Sequence, residues 1–542
     1  MTEQTTRPAS RLWDYSWLKW IALFVSVCVL LAARFPDPLT HPRTLIFEEG
    51  SVYFQDAYNL PFWQAIFTPY AGYLNIVTRL MEAACIWLPY PSLPFAYSLL
   101  SLFSAAAVSS FFYLPAFRGV VPRDWQRFVI CLGLCAASCA YPLLRLETVH
   151  FYLVVFLALV AIMKLPPALP GKLAVVLAAC LSVWSAPSAI VLGPCFLYRA
   201  VRKGTPKADR AAWALITTAW AGFIVSIRVL NKQSVPINLA EAFEAYAHAF
   251  AYRVAAVGLA GEKAADRLVS AFGWNGVLPF LLLVGLLGFI GIATARRSGR
   301  SLFPDITLLW VIWATLILIA LRPNIAEHFV NFLPGYSYWF DDRYFFPAAV
   351  LLLLYVGMIW SRLHGRVRML ANILGPCWLC YMYLWGYGFH PWTDWGPKFA
   401  DYAQSIRSTE REAVADGKIH KLIIPIAPSM WFTVLDVGRV QGTQQAVVPA
   451  KARFTDFFDL DQGANRPGLR HSKWFGAFDD SQYPRIHHEV YGWMTCLENP
   501  NAGGLWFWSE QEGSFWVHPA FFPRVSSART GGWITLSPQP RQ

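Results

Sequence analysis

The stretch Gly276-Val-Leu-Pro-Phe-Leu-Leu-Leu-Val-Gly-Leu-Leu-Gly-Phe-Ile-Gly-Ile-Ala-Thr-Ala295 contains no charged side chain and is followed directly by Arg296 and Arg297. An α-helix needs about 20 apolar residues to cross the hydrocarbon core of a bilayer, which is the length of this stretch. The basic pair after it is typical of a cytoplasmic loop, because membrane proteins concentrate Lys and Arg on that side. The stretch therefore predicts a membrane-spanning helix that ends in the cytoplasm.

Similar apolar segments recur on both sides of this one. The stretch 172–200 is too long for one crossing and has Pro187 near its middle and basic residues at both ends, so we expect a hairpin of two short helices there. With that hairpin the chain is predicted to be an α-helical polytopic membrane protein with about eleven crossings. The other segments lie at about 17–34, 94–115, 128–144, 149–164, 212–230, 305–321, 345–360 and 370–388.

The composition agrees with a protein that is solvated by lipid. Of the 542 residues 56% are hydrophobic and only 14% are charged, whereas a soluble domain is about 25% charged. The net charge of +12 does not indicate nucleic-acid binding, because the basic residues occur in short runs between apolar segments. Most of the 10 cysteines lie inside those segments, which excludes a disulfide framework.

Basic residues also assign the connections to two sides of the membrane. Arg7 and Arg11 precede the first segment, and further arginines occupy the connections at 118–127, 296–300 and 362–368. All of them lie on one side if the N-terminus is cytoplasmic. The predicted divisions are a cytoplasmic N-terminus at 1–16, a transmembrane domain at 17–388 with a first outer loop at 35–93, an outer α/β segment at 389–450 and an outer aromatic-repeat β module at 451–542.

The C-terminal tail shows soluble secondary-structure patterns. A polar helix is expected at about 398–415 and a strand at Lys421-Leu-Ile-Ile-Pro-Ile426. Aromatic residues that alternate between Gly and Pro turns predict a small β-meander, built from a degenerate repeat of about 40 residues. Its aromatic residues could stack on glycans, although on a small sheet they more often form the core. The repeated pairs are Tyr483-Pro484 and Gly492-Trp493, then Phe522-Pro523 and Gly532-Trp533.

Three carboxylates open the first outer loop. Glu48, Glu49 and Asp56 follow the first apolar segment closely and would lie at the water–membrane boundary. One of them could act as a general base on an acceptor hydroxyl, while another holds a metal or a partner of a phosphate group. The alternative is that all three are solvated loop acids. We take them as the candidate catalytic residues.

The same loop continues with aromatic residues around a glycine. Tyr70 and Tyr73 lie on either side of Gly72, and Arg79 follows shortly after Tyr73. Rigid aromatic faces with an arginine suit a sugar ring or a phosphate. The alternative is an aromatic belt with an arginine that extends to the membrane surface. The apolar face of residues 72–88 predicts a helix that lies in the membrane interface.

A short outer turn at about 145–150 carries Arg145, Glu147 and His150 between two apolar segments. These side chains are candidates for substrate binding. The alternative is a local ion pair without a function. If they act together, they would face the first loop across the outer mouth of the helices.

The last outer loop ends in Asp342, Arg343 and Tyr344, directly before an apolar segment. An arginine at the membrane surface can bind a lipid phosphate or pyrophosphate with two hydrogen bonds, and a neighbouring acid keeps its fork oriented. Helix capping is the alternative, since Asp is common at helix N-termini. Capping explains the acid but not the arginine, which opposes the helix dipole.

In the order and sidedness of these motifs, residues 15–435 resemble the GT-C class of membrane glycosyltransferases. The resemblance implies a polyprenyl-phosphate-linked sugar as donor, with Glu48 or Glu49 as the base and Arg343 as a ligand of the donor phosphate. The Asp-x-Asp pattern of the class is absent, so the need for a divalent metal stays open. The matching pieces are Glu48-Glu49-Gly50, Tyr70-Ala-Gly72-Tyr73, Arg79, Glu147 to His150, Trp184-Ser-Ala-Pro187, Arg343-Tyr344 and Ile424-Pro-Ile-Ala-Pro428 with Trp431.

The sequence therefore leads us to expect a glycosyltransferase of the bacterial inner membrane that acts on the outer face, with an envelope glycan, lipid or protein as acceptor. The first alternative is a transporter or flippase of lipid-linked glycans, which would need ionisable residues at mid-membrane and repeated halves. An O-antigen ligase or polymerase would use the same donor through long outer loops rich in Arg and His. A non-catalytic anchor that presents the aromatic tail to a partner is the third.

Overall fold

The structure is a computed structural model of the chain and is mostly helical, with a β-rich C-terminal region. Residues 1–15, 231–246 and 321–341 lie outside the described residues, as do Tyr483-Pro484 of the first predicted repeat and the side chains of Asp342 and Arg343. The described residues are 16–36, 39, 45, 48–70, 72–137, 144–230, 247–248, 250–320, 342–384, 399–417, 419–426, 431–438, 469–482, 485–496, 505–509, 513–518, 521–527 and 532–536.

Two compact units share the chain, and each is built from separate stretches of sequence. The first, which we call the helical unit, consists of Met1–His41, Pro69–Met81 and Tyr97–Pro391. The second, the loop–tail unit, consists of Pro42–Thr68, Glu82–Ala96 and Trp392–Gln542. Most of the first outer loop thus belongs to the same unit as the C-terminal tail.

Each predicted apolar segment contains at least part of a helix. In the 172–200 stretch, two helices are separated by a 3₁₀ turn that begins at Pro187, as expected of a proline that cannot continue a helix. The α-helices are α1 (Ser16–Arg34), α2 (Gln55–Asn59), α3 (Phe62–Phe67), α4 (Ile76–Cys85), α5 (Leu93–Phe111), α6 (Asp124–Leu134), α7 (Val149–Ile162), α8 (Leu169–Val183), α9 (Gly193–Val201), α10 (Lys207–Leu230), α11 (Val257–Ala260), α12 (Glu262–Phe272), α13 (Pro279–Arg297), α14 (Phe303–Ala320), α15 (Asp342–Arg362), α16 (Gly365–Leu384) and α17 (Phe399–Asp416). The π-helices are Glu49–Phe54 and Ala251–Ala256, and the 3₁₀ turns are Tyr90–Ser92, Pro115–Phe117, Leu146–Thr148, Pro187–Leu192 and Trp274–Val277.

Among the described residues, five helices are long and apolar enough to cross a membrane, so the predicted eleven crossings are not confirmed. Several predicted crossings are shorter helices, such as α7 and α8, and α6 covers only part of the predicted 128–144 segment. The five candidate spans are Trp17–Arg34, Tyr90–Phe111, Lys207–Ile227, Asn275–Arg297 and Tyr344–Arg362.

Small residues allow close helix packing in the helical unit. A Cβ atom at Gly291 on α13 would lie 2.0 Å from the hydroxyl oxygen of Tyr355 on α15. The Tyr355 hydroxyl donates a hydrogen bond of 3.2 Å to the Gly288 carbonyl. Glycine at these positions lets a large side chain approach the neighbouring backbone, as is common between membrane helices.

The loop–tail unit contains the predicted soluble elements of the tail. Helix α17 (Phe399–Asp416) confirms the predicted polar helix, and strands β1 (His420–Ile426) and β2 (Trp431–Val437) form an antiparallel hairpin. The first outer loop packs on these elements. A Cβ atom at Gly50 would lie 2.5 Å from Cδ1 of Ile426, and the ring of Phe54 meets that of Phe399 edge-on at 5.5 Å.

Eight further strands form one antiparallel sheet in sequential order, which confirms the predicted β-meander. The glycines of the predicted repeat lie at the starts of strands. Gly492 begins β6 and Gly532 begins β10, and Phe522-Pro523 directly precedes β9. The aromatic residues Phe475, Phe478, Phe507 and Phe515 are part of a buried core, where each contributes about 1.5–3 kcal/mol relative to exposure. The strands are β3 (Leu469–Ser472), β4 (Gly476–Gln482), β5 (Arg485–His488), β6 (Gly492–Cys496), β7 (Leu505–Ser509), β8 (Gly513–Val517), β9 (Arg524–Ser527) and β10 (Gly532–Thr535).

Candidate functional site

Two buried arginines of the helical unit lie on neighbouring segments. Arg79 on α4 is 3% exposed, and Arg145, just before the Leu146–Thr148 turn, is 6% exposed. The residues beside them are in contact, since the Thr78 hydroxyl lies 3.4 Å from the Leu146 carbonyl oxygen. The structure therefore places side by side two segments from separate candidate motifs, each of which carries a buried arginine. A buried Arg79 also disfavours the alternative of an arginine that extends to the membrane surface.

Polar helix residues fix the backbone of Arg145. Its carbonyl oxygen accepts hydrogen bonds from the hydroxyls of Ser101 on α5, at 2.9 Å, and of Thr148, at 2.7 Å. Ser101 is fully buried on α5. These hydrogen bonds hold the backbone of Arg145 in one position. Its side chain therefore starts from a fixed point, as a residue that binds a ligand requires.

The Tyr70–Tyr73 segment forms a tight turn in the helical unit. The two residues exchange backbone hydrogen bonds of 2.8 and 3.0 Å, and Gly72 adopts a φ of +83°. That conformation favours glycine, because a Cβ atom would clash with the backbone. Asn75, with a φ of +52°, makes a second left-handed bend before α4 begins. The two bends turn the chain into α4 directly before Arg79.

Glu147 and His150 lie beside this turn. His150 Nδ1 is 2.7 Å from the Glu147 carbonyl oxygen. Because a carbonyl can only accept, Nδ1 carries a proton and donates this hydrogen bond. The ring of Tyr73 meets that of His150 at 6.1 Å, and the Glu147 side chain is 3% exposed. The predicted outer turn thus adjoins Tyr73 of the first outer loop.

Tyr344 is the described part of the third predicted cluster. It lies near the start of α15, and its ring meets the edge of Phe151 at 5.5 Å. Phe151 follows His150 directly, with the two ring centroids 4.0 Å apart. Aromatic contacts therefore connect Tyr73, His150, Phe151 and Tyr344. The side chains of Asp342 and Arg343 lie outside the described residues.

A further buried arginine was missed in the sequence. Arg253 on the Ala251–Ala256 π-helix is 7% exposed and lies 3.6 Å from the Glu262 carboxylate. Its guanidinium also lies 4.8 Å from the ring centre of Tyr252, whose hydroxyl donates to Asp266. The only available signal was a charged residue in an apolar stretch, and that signal does not distinguish a structural ion pair from a site.

The candidate acids belong to the loop–tail unit. Glu49 is fully buried at the start of the Glu49–Phe54 π-helix, whereas Glu48 and Asp56 are half-buried. π-Helices are rare and occur frequently at functional sites. Burial sets Glu49 apart from a solvated loop acid. The three acids therefore differ in burial, and Glu49 is the strongest candidate among them.

Helix α17 brings a fourth carboxylate to this loop. Oε1 of Glu410 accepts hydrogen bonds from the hydroxyls of Tyr58, at 3.0 Å, and Tyr90, at 2.6 Å. Burial, followed by the neighbouring Tyr90 and Glu410, raises the pKa of Tyr58, so the phenol stays a donor. Sequence patterns gave no indication of this contact, because Glu410 and Tyr58 are 352 residues apart.

Among the described residues, no group of three or more His, Cys, Asp or Glu side chains is arranged to hold a metal ion. The acids and arginines described above could instead act by proton transfer and by charge-assisted hydrogen bonds. Comparison with protein-family models, curated proteins and solved structures gave no match to this chain.

Proposed function

We propose that the chain is a glycosyltransferase of the bacterial inner membrane that uses a polyprenyl-phosphate-linked sugar as donor. One observation carries the proposal: Arg79 and Arg145 are buried on neighbouring segments of a unit made largely of apolar helices. Buried charge in such a setting is costly and usually functional. Two guanidinium groups suit a phosphate, which they can bind through paired, charge-assisted hydrogen bonds.

The proposed topology is that of the sequence analysis, with about eleven crossings in a GT-C-like arrangement and a cytoplasmic N-terminus. The five candidate spans support a membrane location. The tail and the first outer loop would then face the outside. An acceptor in the envelope, whether a glycan, a lipid or a protein, would be reached from that side.

In the proposed reaction, Glu49 or Glu48 removes the proton of an acceptor hydroxyl. The acceptor oxygen attacks the anomeric carbon, and the bond from that carbon to the phosphate oxygen breaks. The polyprenyl phosphate leaves with the bonding electron pair, and its added charge is stabilised by Arg79, Arg145 and Arg343. Phosphate is a good leaving group, so one carboxylate base suffices for an inverting displacement.

The remaining candidate residues have separate roles under this proposal. Tyr70, Tyr73 and Tyr344 would contact the sugar, since rigid aromatic faces suit its ring. The His150 ring and the Glu147 carboxylate would form hydrogen bonds with sugar hydroxyls. Asp342 would keep the Arg343 fork oriented, and Asp56 would assist the base.

The decisive experiment measures binding and transfer separately. Full-length protein in lipid nanodiscs is titrated with a short-chain polyprenyl phosphate, and bound lipid is counted by native mass spectrometry. We expect Arg79→Gln and Arg145→Gln each to weaken binding at least tenfold, because a charged hydrogen bond contributes about 1.5–3 kcal/mol. Arg118→Gln is the control, since Arg118 is exposed and lies in a predicted cytoplasmic connection.

Transfer is tested with the double variant Glu48→Gln/Glu49→Gln. It should still bind polyprenyl phosphate and yet leave the mass of the cell-envelope glycan at the level of a deletion strain. If the variant is inserted in the membrane and the glycan mass equals that of the wild type, the catalytic proposal is wrong. Equal lipid binding by Arg145→Gln and Arg118→Gln would remove its phosphate site.

A further inference from the structure

Helix α3 (Phe62–Phe67) exposes a face of aromatic rings. Phe62 is 49% exposed, Trp63 66% and Phe67 54%, whereas Ala65 and Ile66 are buried. The rings lie next to one another, with 4.9 Å between the centroids of Phe62 and Trp63 and 6.3 Å between those of Trp63 and Phe67. A contiguous apolar face of this kind marks an interaction surface.

The sequence around α3 has no charge that would keep this face in water. No Asp, Glu, Lys or Arg occurs between Asp56 and Arg79. The segment is nevertheless not a span, because it is broken into α3, the turn at Tyr70–Tyr73 and α4. An uncharged, aromatic segment that does not cross suits the boundary between lipid headgroups and acyl chains.

Trp87 locates that boundary in the same unit. Its side chain is 79% exposed, and it precedes the candidate span Tyr90–Phe111 by three positions. Tryptophan is enriched where spans enter the interface, since its ring is apolar and its N–H is polar. Trp87 and Tyr90 therefore mark the level at which this helix enters the membrane.

A contact of α2, just before α3, ties the start of α3 to this level. The hydroxyls of Tyr58 and Tyr90 both donate to Oε1 of Glu410, and their ring centroids are 6.4 Å apart. Tyr58 precedes the first residue of α3 by four positions. The entrance of the span and the start of α3 are thus held side by side through one carboxylate.

We propose that α3 is a membrane-interface anchor, whose aromatic face lies in the bilayer surface at which the Tyr90–Phe111 helix enters. The occupant of this face is lipid rather than a protein partner, because the same unit carries the start of a candidate span at the same level. The anchor would hold the Glu49–Phe54 π-helix, which leads through α2 to α3, at a fixed height above the lipid.

Nitroxide accessibility in full-length protein tests the anchor. The exposed Cys377 and Cys380 are first replaced by alanine, and single labels are placed at Trp63→Cys or Phe67→Cys. In phosphatidylethanolamine–phosphatidylglycerol vesicles, oxygen concentrates in lipid and nickel EDDA in water. We expect the ratio of oxygen to nickel collisions at both sites to exceed, several-fold, the ratio at Val414→Cys, a site on α17 that is 84% exposed.

The outcomes separate lipid from other occupants. A ratio at residues 63 and 67 that equals the ratio at residue 414 means that the face lies in water, and the proposal is wrong. Low collision rates with both reagents, together with dipolar broadening between labels, would show a second copy on this face and would also overturn it. Phe67→Cys keeps the test valid if Trp63→Cys does not fold.

Discussion

Tyr58 donates a hydrogen bond to Glu410 at 3.0 Å, although the two residues are 352 positions apart in the chain. The same carboxylate oxygen accepts the Tyr90 hydroxyl at 2.6 Å. One side chain of the tail helix therefore joins two separate parts of the first outer loop. This contact is one of those that join most of that loop to the tail in one compact unit.

Glu410→Ala should loosen the first outer loop. The change removes the acceptor of two hydrogen bonds to a charged group, each worth about 1.5–3 kcal/mol when well buried, so we expect a loss of about 1–3 kcal/mol for this half-buried cluster. Hydrogen exchange of the peptide 48–59 in the full-length protein measures the loss. Glu412→Ala is the control, because Glu412 is exposed on the same helix.

A double-mutant cycle distinguishes this contact from a general effect on α17. Tyr58→Phe should cost stability in the wild type and little in the Glu410→Ala background, because the hydroxyl has then lost its acceptor. If the two changes add fully, the hydrogen bond does not contribute and the role assigned to Glu410 is wrong.

Gly50→Ala should destabilise the packing of the loop on the β1–β2 hairpin. The new Cβ atom would lie 2.5 Å from Cδ1 of Ile426, which is fully buried and has little room to move. Overpacking of this kind costs about 1–3 kcal/mol. Hydrogen exchange over 420–426 reports the change, and Gly119→Ala is the control because nothing lies within 4 Å of its Cβ position.

A second substitution at the same site can make room for the added Cβ atom. In Gly50→Ala/Ile426→Val the smaller side chain removes Cδ1, the atom with the closest contact, and should recover part of the lost stability. Stability of the double variant at or below that of Gly50→Ala alone would mean that the Ile426 contact is not the cause.

The helices were predictable from sequence because crossing a bilayer demands long apolar runs, and these runs are local. The sequence also located a helix within 72–88 correctly, as α4. Its amphipathic pattern identified the apolar face but could not show what packs on the polar one, where Thr78, Arg79 and Glu82 are all buried. A helix expected at the membrane interface is thus largely enclosed by protein.

The contacts of the candidate site could not be predicted for a related reason. Arg145 and Arg79 come from separate motifs, and their segments meet through tertiary contacts such as that between Thr78 and Leu146. The β-meander was predictable because its repeat is local, whereas the Tyr58–Glu410 contact joins residues without a shared pattern. Periodicity specifies elements, and the pairing of distant elements depends on side-chain shape.

The β3–β10 sheet should lose stability as the pH falls. Burial lowers the pKa of His518 to about 3 and also lowers the pKa of His488. Nδ1 of His488 accepts the backbone N–H groups of Val490, at 3.0 Å, and Tyr491, at 3.2 Å, and a proton there would break both bonds. Both rings are therefore favoured as neutral in the folded sheet.

The direction of this pH dependence follows from the linkage between proton binding and folding. Each histidine has a lower pKa in the folded than in the unfolded chain, where it is about 6.5, so the unfolded chain binds more protons below that pH. The stability is fully present above about pH 6.5, and for His518 it falls towards pH 3 by about 1.4 kcal/mol per pH unit. The lowered pKa of His488 adds a loss of the same sign below about pH 6.5. Hydrogen exchange of the strands, corrected for intrinsic rates, measures the slope.

His518→Phe should flatten this slope, because the variant has one buried titrating ring fewer. His487→Phe is the matched control, since His487 is an exposed histidine of the same sheet, on strand β5. A slope unchanged by His518→Phe and reduced by His487→Phe would contradict the assignment.

Asp305 and Arg362 form a buried ion pair in the helical unit, and breaking it should be among the most damaging single changes. Their Nη1–Oδ1 and Nη2–Oδ2 distances are 2.5 and 2.9 Å, and Nη1 also donates to the Gly291 carbonyl at 3.1 Å. Asp305→Leu leaves the guanidinium buried without its carboxylate, which costs about 3–5 kcal/mol.

In Asp305→Leu/Arg362→Met no charge remains, and most of that loss should be recovered. Unfolding of the purified protein in mixed SDS micelles measures both variants, with the exposed Arg366→Met as control. Equal loss in the single and double variants would show that shape rather than charge pairing is what the site requires.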